Sequence, residues 1–381
     1  MTDPPEKERL RFDHFRLGFR PALDGLRGIA MIIVLIVHGT YLWDPFHAGL
    51  FLPGGYIAVD VFFALSGFLI TSLLLREFGR TDKISFRGFY RRRALRLLPV
   101  LYALLIAQFF YTLYYGQMFW ENLKGLFSIF FYYSNWAIVF HLPQAFGTQQ
   151  TWSLGVEEQF YILWPLALWG IAKIPSRRVA IGVFVSLMVF ALAFRELLWH
   201  LNVPYYKIYV QSEVRLDVLM AGSLMAYLLA TGWKPNEQWG KLVGWAGVVG
   251  LALVTAFVPV DSRYLYHYGG FTIIALAAGA TVYLAMVGNN LFSRFLSWKV
   301  MEGIGFRSYS LYLWHYLIFL AVVRALPTAS GYARVALGFA ITIVVSELSH
   351  QLLEKPFLRL KNRSTDPTAL TPTEAQALKE T

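Results

Sequence analysis

A histidine and an arginine are embedded in an apolar run near the start of the chain. The run reads DGLRGIAMIIVLIVHGTYLW, residues 24–43, with Arg27 at one end and His38 well inside it. Ionisable groups within a membrane segment are costly and usually mark function. A neutral imidazole is well suited to take a proton near neutral pH. His38 is therefore either a general base or a packed polar residue hydrogen-bonded to a neighbouring helix.

Arg27 and His38 are expected on one stripe of a helix. They stand eleven positions apart, so they differ by about 20° around the helix axis and by about 16 Å along it. With a cytoplasmic N-terminus, Arg27 lies at the inner edge of the membrane and His38 lies past mid-depth, toward the outside.

Carboxylates occur at two places that could assist such a base. Asp60, in YIAVDVFFALSG, either orients or deprotonates the imidazole or is a charge near a helix N-terminus. Glu157 and Glu158, in TWSLGVEEQF, either suit the first turns of a helix capped by Ser153 or raise the basicity of His38. Both interpretations stay open for each carboxylate.

Four arginines cluster before the third apolar run, in RGFYRRRALRLLP. They are Arg91, Arg92, Arg93 and Arg96, and Pro99 is expected to break the entry into the span. Such a cluster either binds anionic lipid and sets topology or grips the phosphates of a cosubstrate. Arg93 and Arg96 are one helical turn apart, so they can face a common ligand.

Later apolar runs carry further polar groups. Arg215 and Asp217, in EVRLDVLMAG, are expected to pair with each other or with other spans. Tyr309, Tyr312 and His315, in YSLYLWH, recur at a spacing of three and share a helix face. This stripe either packs and hydrogen-bonds or lines a channel near a cosubstrate.

No metal site is predicted. The chain has no Cys, which excludes disulfides and thiolate ligands. His350 follows Glu347 by three positions, and Glu354 comes shortly after. One such pair is a weak signal for a metal.

The composition is that of a polytopic helical membrane protein. Of 381 residues, 57% are hydrophobic and 15% are charged, and several apolar runs approach the roughly 20 residues that cross a bilayer. No secretory signal peptide is expected, because the first 20 residues are polar and charged. The net charge of +11 is informative through its distribution and does not imply nucleic-acid binding.

The predicted fold class is all-α, with about ten transmembrane helices. The spans are placed at 27–44, 57–76, 97–115, 158–173, 179–199, 216–232, 242–258, 269–288, 308–326 and 333–353. Most of the 34 Lys and Arg residues then fall on one side, which the positive-inside rule makes cytoplasmic together with both termini. Because a crossing at 125–141 would spoil that pattern, the aromatic-rich segment 118–156 is expected to be an interfacial or re-entrant excursion.

Three regions follow from this organisation. They are a cytoplasmic segment 1–26, an integral-membrane domain 27–357 and a cytoplasmic, disordered tail 358–381. No internal repeat of the transporter kind is visible.

A series of motifs resembles, in order, the signatures of the acyltransferase 3 family of integral-membrane acyltransferases, from about Arg20 to Phe357. The motifs are RPALDGLRGIAMIIVLIVHG, AVDVFFALSGFLIT, FYRRRALRLLP, TWSLGVEEQFYILWP, RLDVLMAGSLMA, YSLYLWH and EKPF. Each motif alone is a weak match, whereas the ordered set is specific.

The resemblance implies that the chain moves an acyl group, often acetyl, from cytoplasmic acyl-CoA to a hydroxyl of a glycan, glycolipid or macrolide sugar. It implies His38 as the base and Arg27 as its basic partner. Arg93 and Arg96 match the family's R-x-x-R pair, and Glu157 matches the glutamate of its W-S-L-x-x-E motif. It also implies a multi-pass protein of the bacterial inner membrane, with acyl-CoA, a hydroxyl-bearing acceptor and lipid as partners.

The remaining candidate residues complete two predicted binding regions. Acyl-CoA contacts are extended to Arg92, Tyr309 and His315, and acceptor contacts are assigned to Trp152, Ser153, Glu158, Arg215 and Asp217. A proton-coupled transporter or flippase is the alternative function, since intramembrane His, Asp and Glu residues also build proton relays.

Overall fold

The described part of the protein is helical and contains no strand. The computed structural model describes Phe12, Gly18 and residues 20–43, 51–115 and 118–363, with side chains to residue 360. Most of the predicted segments 1–26 and 358–381 therefore lies outside the described residues. The helices, in chain order, are α1 Pro21–Trp43, α2 Ile57–Thr81, α3 Phe86–Tyr115, α4 Phe119–Phe130, α5 Ser134–Val139, α6 Thr151–Ala172, α7 Arg177–His200, α8 Tyr205–Val210, α9 Leu216–Ala230, α10 Glu237–Phe257, α11 Arg263–Tyr266, α12 Gly270–Val287, α13 Leu291–Leu296, α14 Lys299–Phe306, α15 Ser308–Ala325, α16 Gly331–Ser349 and α17 Lys355–Arg363.

Seven helices in the described ranges are long and apolar enough to cross a membrane. They are α1, α2, α3, α7, α10, α12 and the continuous helical stretch Gly331–Leu360. The other predicted spans, 158–173, 216–232 and 308–326, also fall on helices, α6, α9 and α15, but outside this set; α9 has only 15 residues. The chain is a multi-pass integral membrane protein, while the count of ten spans and the cytoplasmic termini stay predictions.

The apolar segment 125–141 does not form one helix. It is divided between α4, of 12 residues, and α5, of 6 residues, and Tyr132 between them has φ of +57°. A helix needs roughly 20 residues to cross the bilayer. The excursion between α3 and α6 is thus built from short helices, as the interfacial interpretation requires.

The prediction that Pro99 breaks the entry into the third span is wrong. Helix α3 continues through Pro99 from Phe86 to Tyr115. Proline is tolerated within membrane helices, where neighbouring groups satisfy the freed carbonyl. As a result, Arg93 and Arg96 are carried on the same rigid helix as the buried residues that follow them.

Helix α2 packs closely against α9 through a pair of glycines. A Cβ added to Gly67 would lie 2.1 Å from the carbonyl oxygen of Leu219, and one added to Gly222 would lie 1.9 Å from that of Ala64. Small residues let membrane helices approach to backbone contact. Helix α2 also contacts α1, α6 and α12, so it is held on several sides and can present Val59 and Ser66 at fixed positions.

Candidate active site

A cavity lies between α1, α2, α3, α6 and α15, and it is called the arginine cavity here. The empty space inside it, including the part open to solvent, is about 730 Å³. Its lining residues are Arg27, Val59, Phe62, Phe63, Ser66, Arg93, Arg96, Leu97, Ser153, Leu154, Glu157, Tyr161, Ser308, Tyr309 and Tyr312. The three arginines and Tyr309 that were predicted to contact acyl-CoA thus come together from three helices.

The three arginines of this cavity differ in their partners. Arg93 pairs with Glu158 at 3.0 Å, and Arg27 pairs with Asp24 on its own helix at 3.1 Å. Arg96 makes neither a hydrogen bond nor an ion pair with any residue the structure describes. An unpartnered guanidinium beside two others favours binding of an anionic group such as phosphate.

Two hydroxyl-bearing pairs line the same cavity. Ser66 of α2 donates a hydrogen bond to Oε1 of Glu157 on α6. The hydroxyls of Ser153 and Tyr312 lie 2.6 Å apart. Glu157 therefore faces the arginine cavity and holds a serine, and it does not contact the imidazole of His38.

A second cavity, called the histidine cavity here, shares the lining residues Val59 and Tyr312 with the arginine cavity. The empty space inside it, including the part open to solvent, is about 740 Å³. Its lining residues are Val34, Val37, His38, Gly55, Tyr56, Val59, Gln150, Trp152, Tyr205, Tyr206, Tyr209, Val260 and Tyr312. His38 and Trp152, predicted as base and acceptor contact, share this cavity, and five of its eleven other lining residues are tyrosines.

Two polar atoms in the histidine cavity have no partner among the described residues. They are the side-chain oxygen of Gln150, a residue only 3% exposed, and the hydroxyl of Tyr56. The amide nitrogen of Gln150 donates to the carbonyl oxygen of Leu313 at 3.2 Å, which orients the free oxygen. Buried polar atoms normally find partners, so these two atoms suit a hydroxyl-bearing ligand.

The arginine and histidine cavities meet at Val59 and Tyr312, which line both. The Tyr312 hydroxyl donates to the backbone oxygen of Gln150 at 2.8 Å, which fixes the ring at the boundary. His38 lines the histidine cavity and is not part of the arginine cavity's wall. The side chains of Val59 and Tyr312 therefore stand between the arginine cavity and the cavity that His38 lines.

The hydrogen-bond partner of His38 is His315. Nδ1 of His38 lies 2.8 Å from Nε2 of His315 on α15, and His315 is fully buried. This corrects two expectations. His315 lines neither the arginine nor the histidine cavity and so is not placed as an acyl-CoA contact, and neither Asp60 nor Glu157 orients the His38 ring.

Four other predicted contacts are not among the residues that line either cavity. Arg92 extends toward α2, where it pairs with Glu77 at 3.5 Å, because adjacent residues on a helix point about 100° apart. Arg215 pairs with Asp60 at 3.1 Å. The assignments of Arg92 to acyl-CoA and Arg215 to the acceptor are corrected accordingly.

Asp217 and Glu158 complete these corrections. Asp217 pairs with Arg195 of α7 at 2.8 Å, and each side chain is 1% exposed. Glu158 is engaged with Arg93 and likewise does not line a cavity. Ions removed from water need a close opposite charge, so these pairs tie helices together.

One group of side chains within the described ranges has the composition of a metal site. Glu196, His200 and His267 bring their ligand atoms within 4.8 Å of one another. Nδ1 of His267 lies 2.6 Å from a Glu196 oxygen, whose other oxygen accepts from the backbone N–H of Tyr268. Because these contacts account for the cluster, it gives no separate reason for an ion.

Sequence reasoning missed several residues at the two cavities. Gln150, Tyr161 and Tyr209 carry no local pattern that marks them as functional. Ser66 stands in the motif AVDVFFALSGFLIT, and the structure shows that it also faces Glu157. The signal that could have found Gln150 is its position directly before the TWSLGVEE motif.

The chain that forms these cavities matches a known protein family. The Acyltransferase domain family matches residues 20–348. This range covers most of the chain and every residue that lines the two cavities. The protein is a member of this family and a multi-pass protein of a bacterial membrane.

Two curated relatives illustrate the likeness. The chain is 29% identical over 362 residues to the peptidoglycan O-acetyltransferase OatA of Listeria monocytogenes, covering 91% of this chain and 57% of that protein. It is 30% identical over 357 residues to the O-acetyltransferase OatA of Staphylococcus aureus, covering 89% and 57%. The chain thus spans little more than half the length of these relatives. No solved structure matches it.

Proposed function

We propose that this protein transfers an acyl group, most simply acetyl, from acyl-CoA to a hydroxyl of a carbohydrate-containing acceptor. Acyl-CoA would occupy the arginine cavity, and the acceptor would occupy the histidine cavity. The observation that carries the proposal is the meeting of these two chemically different cavities at Val59 and Tyr312. One cavity suits a phosphorylated donor, and the other holds a candidate base.

The arginine cavity suits both the phosphates and the pantetheine arm of acyl-CoA. Arg27, Arg93 and Arg96 supply positive charge for its phosphates, and Arg96 has no competing carboxylate partner among the described residues. The rest of the wall includes Phe62, Leu97 and other apolar side chains, which suit the pantetheine arm. The thioester at the end of that arm would reach the junction with the histidine cavity.

The histidine cavity fits a sugar. Trp152, Tyr206 and Tyr209 offer flat apolar faces, while the free oxygens of Gln150 and Tyr56 can hydrogen-bond hydroxyl groups. Ligand sites commonly combine aromatic walls with a few placed polar atoms. The names of the two relatives, one of which specifies peptidoglycan, also favour a glycan hydroxyl as the acceptor.

His38 would act as the general base. The acceptor hydroxyl loses its proton to His38 while its oxygen attacks the thioester carbonyl carbon. The carbon–sulfur bond then breaks, and the proton passes from His38 to the departing coenzyme A thiolate. A positioned general base typically contributes about 10²–10⁴-fold to the rate.

The topology proposed with this function places the arginine cavity toward the cytoplasm, since coenzyme A is a highly charged cytoplasmic molecule. Arg27, at the N-terminal end of α1, would then lie at the inner side, and His38 would lie toward the outer side. The domain limits 27–357 remain those proposed for the membrane enzyme. The family match spans residues 20–348.

Thiol release tests this function directly. The purified full chain in detergent is mixed with acetyl-CoA and chitotriose, and free coenzyme A is followed with a thiol reagent. Release that depends on the protein and yields acetylated chitotriose supports the proposal. A transporter or flippase releases no thiol in detergent, so absence of release from folded protein favours that alternative.

Mass spectrometry of the same reaction decides between direct transfer and a covalent relay. An acyl group retained on His38 or Ser66 would indicate an acyl-enzyme. An unmodified protein throughout turnover supports direct attack by the acceptor hydroxyl on the thioester.

A further inference from the structure

The protonation of His315 follows from its surroundings. Its Nδ1 lies 2.7 Å from the carbonyl oxygen of Tyr312 and 3.2 Å from that of Leu311. A carbonyl oxygen can only accept a hydrogen bond, so Nδ1 must carry the hydrogen. In the neutral ring, Nε2 of His315 is then a hydrogen-bond acceptor.

This acceptor determines the tautomer of His38. The two rings lie within 14° of parallel with centroids 5.0 Å apart, and the contact between Nδ1 of His38 and Nε2 of His315 is 2.8 Å. Nearly parallel rings whose facing nitrogens are 2.8 Å apart while their centroids are 5.0 Å apart meet edge to edge. The contact is therefore a hydrogen bond in the plane of the rings. Because Nε2 of His315 accepts, Nδ1 of His38 must donate, and the lone pair of neutral His38 resides on Nε2.

The remaining nitrogen of His38 is the one open to the cavity. His38 is half-buried on the wall of the histidine cavity. Its Nε2 makes no hydrogen bond with a described residue and is not among the buried atoms that lack a partner. The lone pair is thus directed to the space proposed for the acceptor.

We propose that His315 is a positioning residue that holds His38 in the tautomer with a free Nε2 lone pair. The assignment rests on the proposed function, in which His38 takes the acceptor's proton. When Nε2 of His38 gains that proton, the ring becomes a cation whose Nδ1–H still donates to the neutral His315. His315 therefore stabilises the charge that develops during transfer, and the proton leaves again with the coenzyme A thiol.

Solid-state nitrogen NMR tests the tautomer without relying on activity. The full chain is labelled with ¹⁵N-histidine and reconstituted in lipid bilayers, and the His38→Asn variant identifies the His38 signals. The expected spectrum shows Nδ1 of His38 protonated and Nε2 unprotonated. A wild-type His38 protonated on Nε2 instead would overturn the proposal.

Kinetics of two His315 variants supply a second readout. With acetyl-CoA and chitotriose, His315→Leu should lower kcat by about 10²-fold or more, with KM for acetyl-CoA unchanged. His315→Gln should retain more activity, because its side-chain oxygen can accept from Nδ1 of His38. Equal loss in both variants, or a rise in KM with kcat unchanged, would count against a positioning role.

A matched control separates this role from simple loss of a buried histidine. His350 is 3% exposed and hydrogen-bonds Glu354 on its own helical turn, away from His38. His350→Gln should leave kcat near the wild-type value. If the wild type releases no thiol, the proposed function fails, while the NMR tautomer still decides the assignment of His315.

Discussion

Arg93 and Glu158 join α3 to α6 through an ion pair of 3.0 Å. The guanidinium of Arg93 also lies 3.2 Å from the centre of the Tyr161 ring, so it is held by a charge and by an aromatic face. Arg96, one helical turn later, lines the same cavity with no such partner in the described chain. The two arginines of the R-x-x-R pair therefore differ in their surroundings, and more of the donors of Arg96 are left without a partner in the described chain.

Replacing Arg96 should weaken the binding of acetyl-CoA and have a smaller effect on the stability of the fold. A hydrogen bond to a charged group contributes about 1.5–3 kcal/mol, so Arg96→Gln should raise KM for acetyl-CoA by about 10–100-fold. Initial rates of thiol release at varied acetyl-CoA concentration measure the change. Arg92→Gln is the control, because Arg92 pairs with Glu77 outside the cavity; equal effects in both variants would contradict a specific site.

Replacing His38 should remove catalysis and leave donor binding intact. His38→Ala is expected to lower kcat by about 10²–10⁴-fold, since its ring lines the histidine cavity and not the arginine cavity. Equilibrium dialysis with labelled acetyl-CoA should give the wild-type affinity. If the variant retains most of its transfer rate, another group is the base.

Closing the junction should separate donor binding from transfer. Val59 lines both cavities, so the bulky ring of Val59→Trp would fill the passage between them. Transfer to chitotriose should fall below detection while the protein still binds acetyl-CoA. Leu73→Trp on the same helix is the control, because Leu73 is 50% exposed on the surface of the helix bundle. Full transfer by the Val59→Trp variant would show that the thioester takes another route.

The ion pair between Arg195 and Asp217 should contribute to the stability of the fold and not to substrate binding or catalysis. Removing one partner of a buried pair typically costs about 3–5 kcal/mol, so Asp217→Ala should lower the melting temperature clearly. Arg195 would otherwise be left buried with an uncompensated charge. The folded fraction should keep the wild-type KM for chitotriose, and a raised KM for chitotriose without loss of stability would restore Asp217 as an acceptor-binding residue.

An exposed ion pair provides the comparison for that experiment. Lys241 and Glu237 lie 2.6 Å apart on the surface of α10, where water screens the attraction. Glu237→Ala should leave the melting temperature unchanged. A matching loss in both variants would mean that burial is not what makes the Arg195 pair important.

Features that depend on local spacing could be predicted from the sequence. The apolar runs indicated the long helices, and the step from Arg93 to Arg96 placed both on one face, which lines one cavity in the structure. The interval from Arg27 to His38 likewise predicted one stripe of α1. Such predictions are possible because the geometry of a helix relates residues a few turns apart regardless of the rest of the chain.

The contacts that define the site were decided only by the tertiary structure. His38 and His315 are 277 positions apart, and Arg215 and Asp60 are 155 apart. Periodicity predicts which face of a helix is polar, but not which neighbouring helix packs against that face. The sequence by itself determined the helices, the charged and ionisable groups and the family, while packing among α1, α2, α6 and α15 determined that a histidine orients His38 and that two cavities meet beside it.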